Sequence, residues 1–270
     1  MLPFKLIYSE AYYLPIGEHV FPAEKYRLIH EHLLRSGVAS PDDFLTPEPA
    51  RDADILLAHT AAWVSKLRGG TLSPREELML EVPYSVELVR AFWLAAGGSI
   101  LAAQCSLRDR VGISIGGGFH HAFADHGEGF CMINDIAVAI RKLQHEGSIA
   151  RAMTLDCDVH QGNGTAAIFA ADNGSAAFSF GGMGARDFAG FEADVFTISL
   201  HQENNYPAFK PPSSIDVNLA DGVGDGEYLG QLDRVLFTGL HQFDPQLLCY
   251  VAGADPYRED QLGGLSLTIE

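Results

Sequence analysis

Three ionisable side chains follow an apolar stretch near the middle of the chain. Residues 152–155 are apolar or small and predict a buried strand, and Asp156, Asp158 and His160 come next at alternate positions. Because side chains alternate along a strand, these three point to the same side. Two carboxylates and an imidazole in apolar surroundings are costly unless a cation neutralises them. The spacing therefore predicts a metal site at the end of this strand.

A later residue, Asp255, supplies a further carboxylate, because it follows a second apolar stretch at residues 246–252. Asp158, His160 and Asp255 together match a catalytic zinc, which typically has three protein ligands and one open position. The alternative is that Asp156 and Asp158 only cap the next helix and that His160 is an ordinary core histidine. The coincidence of these features favours the metal site.

Two adjacent histidines, His120 and His121, follow three glycines at residues 116–118. Adjacent imidazoles can act as base and acid on a metal-activated water. Each needs an acceptor that fixes its tautomer, and Asp156 and Asn163 are available for this. The alternative is a glycine-rich turn with two solvent-facing histidines. The glycines match neither the GxGxxG dinucleotide fingerprint nor a P-loop.

The elements around these residues alternate between strands and helices. Short apolar stretches predict strands at residues 6–12, 113–115, 152–155, 177–180, 195–200 and 246–252. Helical spacing predicts helices at residues 22–36, 61–67, 85–104, 134–146 and 225–243. Such alternation predicts an α/β fold, a parallel sheet with helices on both faces, in one domain that spans residues 1–270. Ligands of such sheets gather at the carboxyl ends of the strands, where the polar residues above lie.

Local signals place several helix ends. Thr60 is a predicted N-cap for the helix at 61–67, and Asn134 for the helix at 134–146. The pair Gly97 and Gly98 predicts close packing or a kink in the helix at 85–104.

The composition narrows the range of partners. The chain has 270 residues, and 35 acidic against 18 basic residues give a formal charge of −17. Phosphate binding needs clustered Lys and Arg, so we expect no nucleic-acid partner. An acidic charge most often serves solubility, and it would also favour the approach of a cationic substrate. The longest uncharged stretch, residues 91–107, is interrupted by polar residues and falls short of the roughly 18–20 apolar residues that span a bilayer, so we expect no membrane segment.

The four cysteines form no CxxC pair. The chain start lacks the basic head and long apolar run of a signal peptide. We therefore expect reduced thiols and a cytoplasmic location.

Five motifs, taken in order and spacing, resemble the zinc-dependent histone deacetylase superfamily. They are Gly-Gly-Gly-Phe-His-His at 116–121, Gly-Glu-Gly-Phe-Cys-Met-Ile-Asn-Asp at 127–135, Asp-Cys-Asp-Val-His-Gln-Gly-Asn-Gly at 156–164, Ser-Leu-His at 199–201 and Gly-Ala-Asp at 253–255. The His-Gln-Gly-Asn-Gly version and the segment at 19–27 resemble bacterial and class IV members most. The resemblance implies the arginase/deacetylase-like fold, with three layers.

The resemblance also implies two metal sites. The zinc ligands would be Asp158, His160 and Asp255, a set that also suits Fe²⁺. A monovalent cation, K⁺, would be held by Asp156, Ser199 and Leu200 with the backbone carbonyls of Asp158 and His160. That cation would offset part of the local negative charge.

In the catalytic pair that the resemblance implies, His120 is paired with Asp156 and His121 with Asn163. Many family members have an aspartate where Asn163 stands. Because a neutral amide stabilises an imidazolium less than a carboxylate does, the proton on His121 would be held less firmly.

The resemblance assigns substrate contacts to an aromatic tunnel. Phe130 matches one wall of the tunnel that holds the acyl-lysine stem, and the Gly129 carbonyl would accept the substrate amide N–H. Tyr206 and Phe209 are candidates for the opposite wall.

These assignments predict a zinc-dependent deacetylase, in which zinc and the histidine pair activate a water that attacks the amide carbonyl. The expected substrate is an acylated lysine or another acetylated amine. One alternative is an acetylpolyamine amidohydrolase. Another is a metal-containing acyl-lysine binding protein with weak activity, and a third is a structural zinc protein.

The family's catalytic tyrosine lies in a late Gly-Gly-Tyr turn that the 270 residues do not contain. Losing one such hydrogen-bond donor typically costs about 2.7–4 kcal/mol of transition-state stabilisation. We therefore expect that the C-terminal part of the fold is missing from this chain.

Overall fold

Parallel strands and helices alternate along the chain in a computed structural model, which describes residues 1–170, 178–179 and 194–269. The chain forms two compact units, Met1–Ser148 and Ile149–Glu270. Within each unit the strands pair in parallel and helices accompany them. The predicted α/β class is therefore confirmed, while the single domain over residues 1–270 stays a prediction.

The first unit contains a three-stranded parallel sheet in the order β2-β1-β3. Its strands are β1 (Lys5–Ile7), β2 (Phe44–Leu45) and β3 (Gly112–Ser114). The strand predicted at 6–12 is shorter than expected, because Glu10–Tyr12 forms a 3₁₀ helix. The Ser9 side chain accepts a hydrogen bond from the Ala11 N–H and so begins that helix.

Six α-helices of the first unit accompany this sheet. They are α1 (Lys25–Arg35), α2 (Asp52–Ile55), α3 (Ala61–Gly69), α4 (Pro74–Leu80), α5 (Val86–Asp109) and α6 (Asp135–His145). The predicted N-caps are confirmed, since Thr60 accepts from the Trp63 N–H and Asn134 accepts from the Ala137 N–H. Helix α4 was not predicted, although its capping box at Ser73 was visible in the sequence.

Helix α5 is the central element of the first unit and packs against α6 and β3. A Cβ on Gly97 would lie 1.8 Å from the Glu48 carbonyl oxygen, and one on Gly98 would lie 1.9 Å from the Tyr12 hydroxyl. Only glycine permits these approaches, so the pair serves close packing.

Among the described residues, α5 alone is long and apolar enough to cross a membrane by length and composition. Its most apolar window has a mean hydropathy of 1.4 and is 72% buried within the protein. A core helix passes the same test, so this feature is weak support for a membrane span.

In the second unit, the residues that the structure describes form a five-stranded parallel sheet in the order β5-β7-β6-β4-β8. Its strands are β4 (Ala152–Asp156), β5 (Phe178–Ser179), β6 (Val195–Gln202), β7 (Ile215–Leu219) and β8 (Leu247–Val251). Strands β4 and β6 are buried throughout, which explains their continuous apolar sequences. Strand β7 was not predicted, and the remainder of the strand predicted at 177–180 lies outside the described residues.

The described part of the second unit has two helices, α7 (Asn163–Ile168) and α8 (Asp225–Phe243). Helix α8 has the predicted bounds and packs on β6 and β7. Its inner face joins a buried apolar cluster, which includes Leu155, Phe196, Ile198, Tyr228 and Val235. This core holds the central strands whose ends carry the predicted metal ligands.

Candidate functional site

The predicted metal ligands lie at the carboxyl edge of the five-stranded sheet. Asp156 ends β4 and is in register with Ser199 of β6 and Val251 of β8. Asp158 and His160 follow β4, and Asp255 follows β8. Because β4 and β8 are parallel neighbours, the residues after them emerge at the same edge.

The ligand atoms of Asp158, His160 and Asp255 converge, since all lie within 4.8 Å of one another. The His160 Nδ1 atom is 3.0 Å from Asp158 Oδ1 and 3.0 Å from Asp255 Oδ2. The three side chains are between 13% and 19% exposed. The structure therefore brings the predicted trio together in a largely buried position.

Backbone amides orient these carboxylates. The Val159 N–H donates to Asp255 Oδ1 at 2.9 Å, and the Asp158 N–H donates to Asp156 Oδ1 at 3.1 Å. Gly253 makes room for the trio, because a Cβ there would lie 2.5 Å from the Cα atom of Asp158. This role of Gly253 was not predicted from the sequence, although the residue follows β8 closely.

The electrostatics of the trio favour a cation at its centre. Burial disfavours the charged form of His160, but hydrogen bonds to Asp158 and Asp255 outweigh it and raise the pKa of His160 to about 9. Burial raises the pKa of Asp255. One imidazole nitrogen and two carboxylates that converge in this way suit a divalent transition-metal ion.

The remaining predicted residues of the second unit lie around the same strands. Ser199 and Leu200 belong to β6 and are buried, and the Ser199 Oγ atom is 2.9 Å from His201 Nδ1. Asn163 is the buried first residue of α7. The assignment of Ser199 and Leu200 to a K⁺ site and of Asn163 to a pair with His121 stays a prediction.

The two candidate tunnel residues of the second unit differ in their surroundings. The Tyr206 ring lies 6.1 Å from the His160 ring between centroids, in an edge-to-face arrangement. Phe209 is 76% exposed. Tyr206 is therefore placed beside His160, a predicted metal ligand, whereas Phe209 lies at the surface.

The histidine pair of the first unit is buried. His120 is 4% exposed and His121 is 6% exposed, and their ring centroids are 4.0 Å apart. The preceding loop turns through Gly117 and Gly118, whose φ angles of 107° and 84° favour glycine. The interpretation as a solvent-facing glycine turn is therefore wrong.

The predicted substrate residues Gly129 and Phe130 form a strained turn with φ angles of 52° and 68°. The Phe130 ring packs edge-on against His19, with centroids 4.7 Å apart, and against Phe21 at 6.2 Å. The Cys131 thiol donates to the Gly129 carbonyl at 3.3 Å. Sequence reasoning missed the two aromatic neighbours of Phe130, although both lie in the segment at 19–27.

Another buried histidine of the first unit, His59, was not predicted from the sequence. His59 is 3% exposed, and its Nε2 atom accepts a hydrogen bond from the Asn134 N–H at 2.9 Å. Burial lowers the pKa of His59 to about 4 from its ordinary value of 6.5. The ring is therefore neutral at pH 7, with its proton on Nδ1.

The buried His59 is expected to make stability depend on pH. Because its folded-state pKa lies below the unfolded value, its contribution is complete above about pH 6.5 and is lost as the pH falls toward about 4. The gap between the two pKa values corresponds to ~3 kcal/mol. In His59→Gln, an amide oxygen can accept the same bond without titrating, so urea unfolding should show a smaller loss of stability between about pH 7 and about pH 4.5.

The exposed His145 at the end of α6 provides the control for this experiment. We expect His145→Gln to keep the pH dependence of the unmodified protein. An equal loss of stability in His59→Gln and the unmodified protein would show that His59 does not carry the effect.

Known proteins are similar in sequence to this chain over most of its length. The family model for the histone deacetylase domain matches residues 19–270. The chain is 37% identical to an uncharacterized protein of Picosynechococcus over 98% of this chain and 82% of that one. It is 32% identical to a probable deacetylase of Methanothermobacter thermautotrophicus over 98% of this chain and 78% of that one.

A solved structure gives the same fold. The crystal structure of an HDAC homologue from Aquifex aeolicus superimposes with a TM-score of 0.77 at 24% identity, over 97% of this chain and 71% of that one. The fold is thus the predicted arginase/deacetylase-like α/β fold. The chain belongs to the histone deacetylase family, which comprises deacetylases and related amidohydrolases.

Proposed function

We propose that the protein is a metal-dependent hydrolase that removes acetyl or other acyl groups from lysine side chains. The observation that carries the proposal is the convergence of Asp158, His160 and Asp255 at the carboxyl edge of the sheet. Membership of the histone deacetylase family supports the reaction type. The net charge of −17 favours a cationic peptide as substrate.

Asp158, His160 and Asp255 would hold the divalent ion, either Zn²⁺ or Fe²⁺. When bound, such an ion polarises the amide carbonyl and makes water a better nucleophile. Two kinds of contact orient the metal-ligating atoms of this trio. The Val159 N–H donates to Asp255, and the His160 imidazole contacts both carboxylates. The ion would replace the proton on His160 Nδ1, because only the neutral imidazole coordinates a metal.

His120 and His121 would move the protons of the reaction. One imidazole accepts the proton of the attacking water, and one donates a proton to the departing amine, so that acetate and free lysine result. As a buried pair, they suit this task, because exclusion of water strengthens their interactions with the reacting groups. We propose Asp156 and Asn163 as their orienting partners, as in the family pattern.

The substrate would be held by the aromatic residues. Phe130 would contact the aliphatic stem of the acyl-lysine, and the Gly129 carbonyl would accept the substrate amide N–H. Tyr206 is our candidate for the opposite wall, since its ring lies beside His160. We propose K⁺ at Asp156, Ser199 and Leu200 as a structural ion.

We also propose that the protein acts in the cytoplasm. The four cysteines form no CxxC pair, and three of them are buried. The absence of a dense cysteine framework is typical of proteins from reducing compartments.

The proposal is tested by metal content together with hydrolysis of a fluorogenic acetyl-lysine peptide. We expect one tightly bound divalent ion per chain and turnover of the peptide. Dialysis against a chelator should abolish both, and Zn²⁺ or Fe²⁺ should restore both. Removal and return of the ion without any effect on turnover would exclude a metal-dependent reaction.

Two further outcomes separate the alternatives. Turnover of N-acetylated polyamines but not of the peptide would identify a polyamine amidohydrolase. Metal-dependent peptide binding without turnover would identify an acyl-lysine binding protein.

A further inference from the structure

The start of helix α6 holds the loop that carries the histidine pair. Asp135, the first residue of α6, is 1% exposed. Its Oδ1 atom accepts the Phe119 N–H at 2.8 Å, and its Oδ2 atom accepts the Gly118 N–H at 3.1 Å. These two amides belong to the residues immediately before His120, so one carboxyl group holds the backbone that leads into the histidine pair.

Helix α5 contributes to the same contact. The Ser99 hydroxyl donates to Asp135 Oδ2 at 2.5 Å. A Cβ on Gly117 would lie 2.3 Å from that oxygen and 2.9 Å from the Ser99 Oγ atom. The loop therefore lies directly against the carboxyl group of Asp135, whose pKa is raised by burial, although the three hydrogen bonds that it accepts act in the opposite direction.

The neighbouring residue, Asn134, holds the other side of the pair. Its Nδ2 atom donates to the Ala122 carbonyl at 3.3 Å, and the His120 carbonyl lies 3.5 Å away. Its Oδ1 atom accepts the Ala137 N–H at 2.9 Å and caps α6. Two adjacent side chains at one helix end thus hold the backbone on both sides of His121.

We propose that Asp135 is a positioning residue for hydrolysis, which acts by holding residues 118–119 so that His120 and His121 present their imidazoles in the reactive direction. The inference rests on the proposed function. A misplacement of about 1 Å in a reacting group costs about 100-fold in rate. A buried carboxylate that accepts three hydrogen bonds is rigid enough to prevent such a shift, because each bond is strengthened by the low local dielectric.

The test compares Asp135→Asn and Ser99→Ala with the unmodified, metal-loaded protein. Asparagine keeps the size of the side chain but cannot accept hydrogen bonds at its amide nitrogen. We expect Asp135→Asn to lower kcat about 10- to 100-fold, with KM and metal content unchanged. Ser99→Ala should lower kcat by a few-fold. Amide hydrogen exchange at residues 118–122 should be faster in both variants, most of all in Asp135→Asn.

Asp42, an exposed residue of the first unit, provides the matched control. Asp42→Asn makes the same chemical change and should leave kcat and exchange unaltered. The proposal would be overturned by a folded Asp135→Asn variant whose kcat, or whose amide exchange rate at residues 118–119, equals that of the unmodified protein. If Asp135→Asn fails to fold, the same two readouts in Ser99→Ala decide.

The failure of the proposed function would be recognised separately. An unmodified protein that binds metal but hydrolyses no acyl-lysine substrate would refute the proposed function. Asp135 would then be judged by exchange alone, and unchanged exchange at residues 118–119 in Asp135→Asn would refute the hold on the loop.

Discussion

Replacement of Asp255 with asparagine is expected to weaken divalent-metal binding about 100-fold or more and to remove measurable hydrolysis of acetyl-lysine peptides. Asp255 Oδ2 and Asp158 Oδ1 each lie 3.0 Å from His160 Nδ1. The amide keeps the volume and still accepts the Val159 N–H at Oδ1, so the lost property is the negative charge. Metal titration and kcat/KM measure the two effects.

The metal-free Asp255→Asn variant should also show a changed pKa of the His160 imidazole. Two carboxylates raise the pKa of His160 to about 9, and the variant keeps only that of Asp158. The pKa of His160 should therefore be lower in the variant, as measured by NMR titration of the imidazole.

Asp233, an exposed residue on α8, is the control for charge. Asp233→Asn changes the net charge equally and should leave metal affinity and turnover unaltered. Full metal affinity in Asp255→Asn would mean that the ion binds elsewhere in the chain.

The convergence of Asp158, His160 and Asp255 could be predicted from the sequence, because residues that follow neighbouring parallel strands emerge at one edge of the sheet. Strand β4 ends at Asp156, and Asp158 and His160 lie beyond it, so the strand alternation predicted for these three residues does not extend past Asp156. Asp255 needs only the further inference that β8 is parallel to β4, and the structure shows that the two strands are neighbours. The helix at 225–243 was equally predictable, since its apolar face repeats over five turns.

Other features depend on contacts between distant parts of the chain. The order β5-β7-β6-β4-β8 places β8 beside β4 although 90 residues separate them, and no local pattern encodes that pairing. Burial of His120 and His121 could not be predicted from the neighbouring glycines, because glycine-rich turns occur both in the protein interior and at the solvent-exposed surface.

The role of Asp135 was hidden for the same reason. As the residue after an N-cap, it suits the first turn of a helix on dipole grounds alone. Its contacts with Ser99 and with the amides of Gly118 and Phe119 come from the packing of α5, α6 and the loop. The motif at 127–135 was noticed in the sequence, but the physical task of its last residue became visible only in the structure.

Replacement of His121 with alanine is expected to lower kcat about 1,000-fold while one divalent ion per chain remains bound. Proton transfer by a positioned side chain contributes roughly 10²–10⁴-fold to a rate, and alanine cannot take part in it. The metal should stay because His121 is not a member of the trio of Asp158, His160 and Asp255. Metal content and steady-state kinetics on the same preparation separate the two properties.

The exposed His145 is the matched control, and His145→Ala should keep both metal and turnover. Because His121 is buried, thermal unfolding of His121→Ala must first show a folded protein. A folded, metal-loaded variant with undiminished kcat would exclude His121 from the proton transfers. His120 would then have to serve both as the base toward water and as the acid toward the departing amine. That arrangement would show as a single ionisation, in place of two, in the pH dependence of kcat/KM.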